Sequence, residues 1–222
     1  MTTRTTRIVL LAVFALATSL AGFAQAPCGL PNELYCQPWD GGSNLFASQN
    51  DPSFGNFATT YDAFTLSGLS DVESFHFVGG YFNPGVQGPI SLFTLTFYAD
   101  NGGIPGGAIA AGGFTSFNET FLGNVNGFPI YSYDLYFLSF NLPAGTYFAS
   151  VVPDLTFPPQ WGWATASSGP GLGYQCFFGS CAGTGTSFAL AVDGTPIPEP
   201  GTLIMLGTGI LGLAGSLRRK LL

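Results

Sequence analysis

The chain has 222 residues and carries 5 Lys and Arg against 12 Asp and Glu, which gives a formal net charge of −7. All five basic residues lie in the terminal segments, Arg4 and Arg7 at one end and Arg218, Arg219 and Lys220 at the other. Nucleic acids and anionic lipid surfaces are bound through Lys and Arg. The body between the two ends has eleven carboxylates and no cation, so its composition excludes both kinds of partner.

Residues 1–26 have the pattern of a secretory signal peptide. Arg4 and Arg7 precede an apolar run from Ile8 to about Leu20, and small residues follow that run. Cleavage after Ala24 and cleavage after Ala26 both fit the small-x-small rule. The pattern predicts export and removal by signal peptidase, and residues 27–195 are long enough to form one extracellular domain.

Four cysteines lie in this predicted domain: Cys28, Cys36, Cys176 and Cys181. An even number of cysteines in an exported chain indicates disulfides. We favour the pairs Cys28 with Cys36 and Cys176 with Cys181, because each closes a short loop. A zinc site made by all four cysteines is the alternative, although the spacings differ from paired CxxC motifs.

The body shows the alternation of half-buried strands, and no long window has helical spacing. Alternating runs cover residues 72–78, 91–98, 130–138, 147–151 and 188–192. Turn residues separate these runs at Asn83-Pro84-Gly85, Asp100-Asn101-Gly102-Gly103, Pro105-Gly106-Gly107 and Asn126-Gly127. This pattern predicts an all-β fold, a single β-sandwich or jelly-roll-like domain between the signal peptide and the C-terminal segment.

Asp100 and Asn101 are the residues best suited to a metal ion. Carboxylate and amide oxygens in surface loops are ligands that calcium prefers. A tight hairpin turn explains the same residues without an ion, and we favour the turn. No cofactor is expected otherwise.

The supply of catalytic groups in the body is small. His76 is the one histidine of the chain, and it alternates with Phe75 and Phe77 on the opposite strand face. A serine or cysteine nucleophile would need His76 as its base. A glycosidase needs two carboxylates, and the body has eleven, so its composition allows this class of enzyme. Most of these carboxylates, however, lie in predicted turns. We therefore expect a protein that is not an enzyme.

Trp161 and Trp163 suggest a second kind of function. In a strand these residues point to the same side, and exposed indole rings could form a stacking platform for a carbohydrate. The other interpretation is that both tryptophans pack in the core.

The C-terminal segment, residues 196–222, has three parts. Pro198-Glu199-Pro200 precedes an apolar run over residues 201–217, and the basic residues Arg218, Arg219 and Lys220 follow. At about 1.5 Å per helical residue, the run reaches roughly 25 Å, near the lower limit for a transmembrane helix. The basic residues favour the cytoplasmic side, so Pro-Glu-Pro is expected to face outward.

These three parts together with the signal peptide resemble the sorting signal of PEP-CTERM proteins of Gram-negative bacteria. The resemblance covers about the last 25 residues. It implies that an exosortase in the membrane recognises Pro198, Glu199 and Pro200, cuts near them, and releases the protein. An ordinary C-terminal membrane anchor is the alternative. The sequence from Phe93 to Gly106, a predicted strand followed by a turn, is also similar to the sandwich modules often found before such tails.

We therefore expect a non-enzymatic exported protein. The resemblance implies a chain that is first anchored in the inner membrane by its C-terminal helix, and then sorted to the cell surface or to the exopolysaccharide of a biofilm matrix. The alternative function is an extracellular carbohydrate-binding module that uses Trp161 and Trp163. The expected partners are signal peptidase, exosortase, the membrane and extracellular polysaccharide.

Overall fold

The computed structural model describes residues 26–198, 201 and 205–210. The body consists of β-strands, which are, in chain order, β1 (Glu33–Gln37), β2 (Leu45–Ala47), β3 (Gln49–Asp51), β4 (Gly55–Leu66), β5 (Ser70–Phe82), β6 (Leu92–Asp100), β7 (Pro105–Phe114), β8 (Asn118–Val125), β9 (Phe128–Leu142), β10 (Gly145–Asp154), β11 (Gln160–Ala164), β12 (Tyr174–Phe177), β13 (Ser180–Gly183) and β14 (Leu190–Pro196).

The strands form two seven-stranded sheets. The first sheet has the order β1-β14-β5-β11-β2, with β9 paired to β5 and β8 paired to β9. The second sheet has the order β13-β12-β4-β3-β10-β6-β7, with a further pairing between β4 and β10. This arrangement confirms the predicted all-β sandwich.

The alternating runs of the sequence correspond to the long strands of both sheets. The runs predicted at 72–78, 91–98, 130–138 and 147–151 lie within or largely overlap β5, β6, β9 and β10. The run predicted at 188–192 begins too early, because Phe188 forms an isolated bridge with Thr165 and the strand itself starts at Leu190. The predicted turn Pro105-Gly106-Gly107 is wrong, since these residues begin β7.

The core lies between the two sheets and is dominated by aromatic rings. Phe77 of the first sheet contacts Phe93 of the second at a centroid distance of 5.2 Å, and Trp161 contacts both rings. Gly79 makes room for this packing, because a Cβ at that position would lie 2.1 Å from the Trp161 indole. The aromatic content of the body is therefore used mainly inside the sandwich.

Candidate functional site

The body is hydrogen-bonded up to the start of the C-terminal motif. The last strand, β14, pairs with β5 through Pro196 opposite Ser70, and the backbone N–H of Ile197 then donates to the Leu69 carbonyl at 2.8 Å. Pro198 is the next residue. The first residue of the predicted sorting motif thus follows directly on the edge of the folded domain.

Much of the predicted C-terminal and N-terminal signals lies outside the described residues. This holds for Glu199, Pro200, Arg218, Arg219 and Lys220, for most of the predicted span 201–217, and for residues 1–25 of the predicted signal peptide. Residues 205–210 are helical and exposed. In the part of the chain that the structure describes, no helix is both long and apolar enough to cross a membrane.

A polar cluster surrounds His76 on the outer face of the first sheet. The alternation of β5 sends Phe75 and Phe77 into the core and His76 to the other side, as predicted. In the neighbouring strands, Asp134 of β9 lies opposite His76, and Asp193 of β14 lies opposite Ser74. Strand register therefore brings two carboxylates and a hydroxyl to one buried imidazole.

The imidazole makes a hydrogen bond at each ring nitrogen. Nδ1 lies 2.8 Å from Asp134 Oδ1, and Nε2 lies 2.9 Å from Ser74 Oγ. Asp193 Oδ2 is 3.7 Å from Nε2, while Asp193 Oδ1 is buried and has no hydrogen-bond partner among the described residues. Burial raises the pKa of Asp193, and the charges of Glu33 and Asp134 add to this, whereas His76 opposes it.

Ser74 is hydrogen-bonded to His76, and His76 to Asp134, as a serine nucleophile is bonded to its base and the base to a carboxylate. The surroundings of these residues, however, differ from those of an active site. Ser74 is 4% exposed, and Tyr136 packs edge-on against the His76 ring at 5.7 Å. β5 has a paired strand on each side here, so its N–H groups serve the sheet ladders and are not free to form an oxyanion hole. The cluster is best explained as a buried polar network that joins three strands.

Asp62 of β4 is a fully buried carboxylate near the centre of the second sheet. Its oxygens accept hydrogen bonds from the backbone N–H groups of Ala63 and Phe188 and from Gln37 Nε2. Loss of hydration outweighs these bonds and raises the pKa of Asp62 to about 7. Local sequence patterns do not indicate this site, because two of the three donors, Gln37 and Phe188, come from distant parts of the chain.

The predicted tryptophan platform is wrong. Trp161 and Trp163 point to the same side, as expected for a strand, but that side is the core, and both residues are 0% exposed. The Trp163 indole N–H donates to the Ala189 carbonyl at 2.8 Å, and the Trp161 N–H donates to Tyr133 Oη at 3.3 Å. Neither ring face can reach a sugar, because β11 is flanked by β2 and β5 and covered by the second sheet.

The disulfide predictions are confirmed. Cys28 pairs with Cys36, and Cys176 pairs with Cys181 across the β12–β13 hairpin. The alternative of a four-cysteine zinc site is therefore wrong.

Asp100 is the last residue of β6 and Asn101 begins the turn to β7, and Asp100 Oδ1 accepts the N–H of Gly103 at 2.8 Å. This contact supports the favoured turn interpretation.

Sequence reasoning missed an exposed aromatic surface. Phe178 at the tip of the disulfide-closed hairpin is 70% exposed, and Phe54 is 71% exposed. With Phe57, Phe157 and Phe177 they line an open depression of about 300 Å³. The Phe177-Phe178-Gly179 sequence between two cysteines could have indicated an exposed turn, but its neighbours come from remote loops.

Comparison with protein-family models identifies a PEP-CTERM protein-sorting motif at residues 196–220. Searches of curated proteins and of solved structures gave no match. The chain thus carries the sorting signal that its C-terminal pattern predicted. The motif indicates export, a membrane-anchored sorting signal and processing by an exosortase.

Proposed function

We propose that this protein is a non-enzymatic component of the cell surface or of an exopolysaccharide matrix, to which an exosortase delivers it. The observation that carries the proposal is the sorting motif at residues 196–220, joined directly to a folded β-sandwich. In this account, signal peptidase removes the N-terminal segment, and the C-terminal segment holds the chain in the inner membrane until the exosortase cuts near Pro198-Glu199-Pro200.

The chemistry of the body supports a structural role. Between its two terminal segments the chain has no Lys or Arg, and its one histidine is enclosed by Asp134, Asp193 and Ser74. Its large aromatic residues fill the core, and two disulfides close surface loops. These features favour a durable extracellular module.

Antibodies against the body test the sorting proposal in a host with an active exosortase. We expect a shortened product at the cell surface or in the polysaccharide fraction, and a full-length membrane product when the exosortase gene is deleted. A matched variant replaces Pro198, Glu199 and Pro200 by alanine and leaves the apolar and basic parts unchanged. A full-length, membrane-bound product in the unmodified strain would instead identify an ordinary C-terminal anchor.

A further inference from the structure

The phenylalanine depression is lined by rings from separate parts of the chain: Phe54, Phe57, Phe157, Phe177 and Phe178. Backbone hydrogen bonds hold these parts together. The Phe178 N–H donates to the Phe57 carbonyl at 2.7 Å. The buried Asp51 accepts the Phe157 N–H through its carboxylate and the Phe54 N–H through its backbone carbonyl. The depression is therefore formed before a ligand arrives, which lowers the cost of binding.

Phe178 adopts a backbone conformation that keeps its ring at the surface. Its φ is 47°, in the left-handed region that a bulky residue rarely adopts. The ring stacks on Phe57 at a centroid distance of 5.4 Å and meets Phe177 edge-on at 4.9 Å. Backbone conformations of this kind are found mainly at sites of binding or catalysis. The hairpin tip thus presents an aromatic surface to the depression.

One buried polar side chain, Gln160 of β11, also lines the phenylalanine depression. Trp161 and Trp163 point into the core, so strand alternation sends Gln160 to the outer side of the first sheet. Gln160 is 8% exposed, and its side-chain amide makes no hydrogen bond to any residue that the structure describes. A buried amide without a partner is unfavourable, and a ligand that bonds to it would remove this cost.

A second depression of about 240 Å³ adjoins the first, since Gln160 and Phe177 line both. Gln175 lies along this second depression. Its Nε2 donates to the Ala47 carbonyl at 2.9 Å, and its Oε1 has no hydrogen-bond partner among the described residues. The two depressions together, which we call the aromatic groove, combine ring surfaces with two available amides. An extended groove of this kind suits a linear chain of small units.

The chemistry of the aromatic groove selects a neutral, hydroxyl-bearing ligand. No charged residue lines either depression, and the body has no Lys or Arg to pair with an anion. Asp51, which bonds to the Phe54 and Phe157 backbone, is 0% exposed and cannot reach a cation in the groove. A purely apolar ligand would leave the Gln160 amide unpaired. A sugar ring offers a C–H face to the aromatic rings and hydroxyls to the amides.

We propose that the aromatic groove binds a segment of a neutral polysaccharide, with sugar rings packed on Phe54 and Phe178 and a hydroxyl bonded to the Gln160 amide. This site lies on the opposite side of β11 from the buried rings of Trp161 and Trp163. The inference rests on the proposed function of an exported matrix component, and it names the class of matrix molecule that the body holds.

Binding can be measured on the full chain in lipid nanodiscs, without exosortase and without sugar detergents. The immobilised probes are dextran and laminarin as neutral chains, alginate as an acidic chain, and the neutral and acidic fractions of the host exopolysaccharide. Three variants alter the groove: Phe54→Ala, Phe178→Ala and Gln160→Leu. Phe121→Ala is the matched control, because this ring on β8 is 51% exposed and lies outside the groove.

We expect at least one neutral polysaccharide to bind and the acidic chains not to bind. Phe54→Ala and Phe178→Ala should each weaken binding about two- to tenfold through loss of a ring contact. Gln160→Leu should weaken it about fivefold through loss of one hydrogen bond, whereas Phe121→Ala should leave it unchanged. Gln160→Leu breaks no hydrogen bond of the free protein, so its urea midpoint should not fall.

Gln160→Leu also separates a sugar from an apolar ligand, because the leucine would strengthen apolar binding. Unchanged or tighter binding by Gln160→Leu would therefore overturn the proposal. So would failure of every neutral polysaccharide to bind, stronger binding of the acidic chains, or an equal loss in Phe121→Ala. Failure of these tests would leave sorting by the exosortase untouched, since the enzyme takes no part in them, and failure of cleavage would leave the groove untouched.

Discussion

The backbone N–H of Ile197 is bonded to the Leu69 carbonyl at 2.8 Å, and the sorting motif continues from the very next residue with Pro198. The folded domain therefore extends to the signal without a linker. A cut at or beyond Pro198 leaves β14 intact, while a cut several residues earlier would remove the pairs that join Gly194, Thr195 and Pro196 to β5.

Two truncated bodies test this relationship. A body that ends at Ile197 should keep its full stability, since every β14 pair remains. A body that ends at Asp193 should lose roughly 2 to 3 kcal/mol, because a few backbone hydrogen bonds of about 1 kcal/mol each disappear. Urea unfolding measures both free energies. Equal stability of the two bodies would show that residues 194–197 do not belong to the cooperative fold.

Asp62 makes the stability of the body depend on pH. Its pKa is raised from 3.8 to about 7 in the folded state. Between these values the folded state binds a proton that the unfolded state has lost, so the free energy of unfolding should fall as the pH rises from about 4 to 7. The largest change in the free energy of unfolding that this pKa shift can cause is about 4 kcal/mol.

Urea unfolding at pH 4.5 and at pH 7.5 measures the effect. Asp62→Asn should flatten the dependence, whereas Glu73→Gln, at an exposed position, should leave it unchanged. Asp193 acts in the same direction, since its pKa is also raised. Asp51 does not contribute to the change between these two pH values. The hydrogen bond from the Phe157 N–H lowers the pKa of Asp51, so the stability that its carboxylate provides is lost only at more acidic pH. Greater stability at pH 7.5 than at pH 4.5 would contradict the role given to Asp62.

Trp163 should be needed for folding. Trp163→Ala removes a fully buried indole that stacks on Phe188 and bonds to Ala189, so we expect a loss of about 3 to 5 kcal/mol. Phe178→Ala is the control, since this ring is 70% exposed and its removal should cost under about 0.5 kcal/mol. Denaturant midpoints compare the two variants. A small effect of Trp163→Ala would mean that the indole is not in the core.

Ser74 should not react as a nucleophile. Its hydroxyl is buried beside His76 and lacks free backbone donors for an oxyanion, so a fluorophosphonate probe should leave the native protein unlabelled. A known serine hydrolase in the same reaction serves as the control for the probe. Labelling of Ser74 that disappears in His76→Gln would show an activated serine and would contradict the non-enzymatic proposal.

Local patterns predicted the parts of this protein that depend on near neighbours. Phe75 and Phe77 alternate with His76, so the strand and its buried face could be inferred directly. The spacing of Cys176 and Cys181 is short enough to favour a local disulfide, and the structure pairs them. The sorting motif that begins beside Pro198 could also be recognised from the sequence, because its apolar and basic parts follow one another directly along the chain.

Features that depend on distant strands could not be predicted. Alternation shows that Trp161 and Trp163 share a side, but only the position of the second sheet determines that this side is buried. Asp134 is 58 residues from His76, and the pairing of β9 with β5 brings them together. β7 could not be predicted from the sequence, because its run of glycine and alanine shows no hydrophobic alternation. Its extended form depends on pairing with β6.

The identity of the C-terminus of the exported protein tests the central claim most directly. Intact mass and C-terminal peptides should be measured on the protein recovered from the cell surface or matrix of a host with an active exosortase. Processing at the motif predicts a chain that ends near Pro198-Glu199-Pro200 and lacks the following apolar and basic residues. A protein that still carries its sequence through Arg218, Arg219, Lys220 and Leu222 would contradict sorting by cleavage.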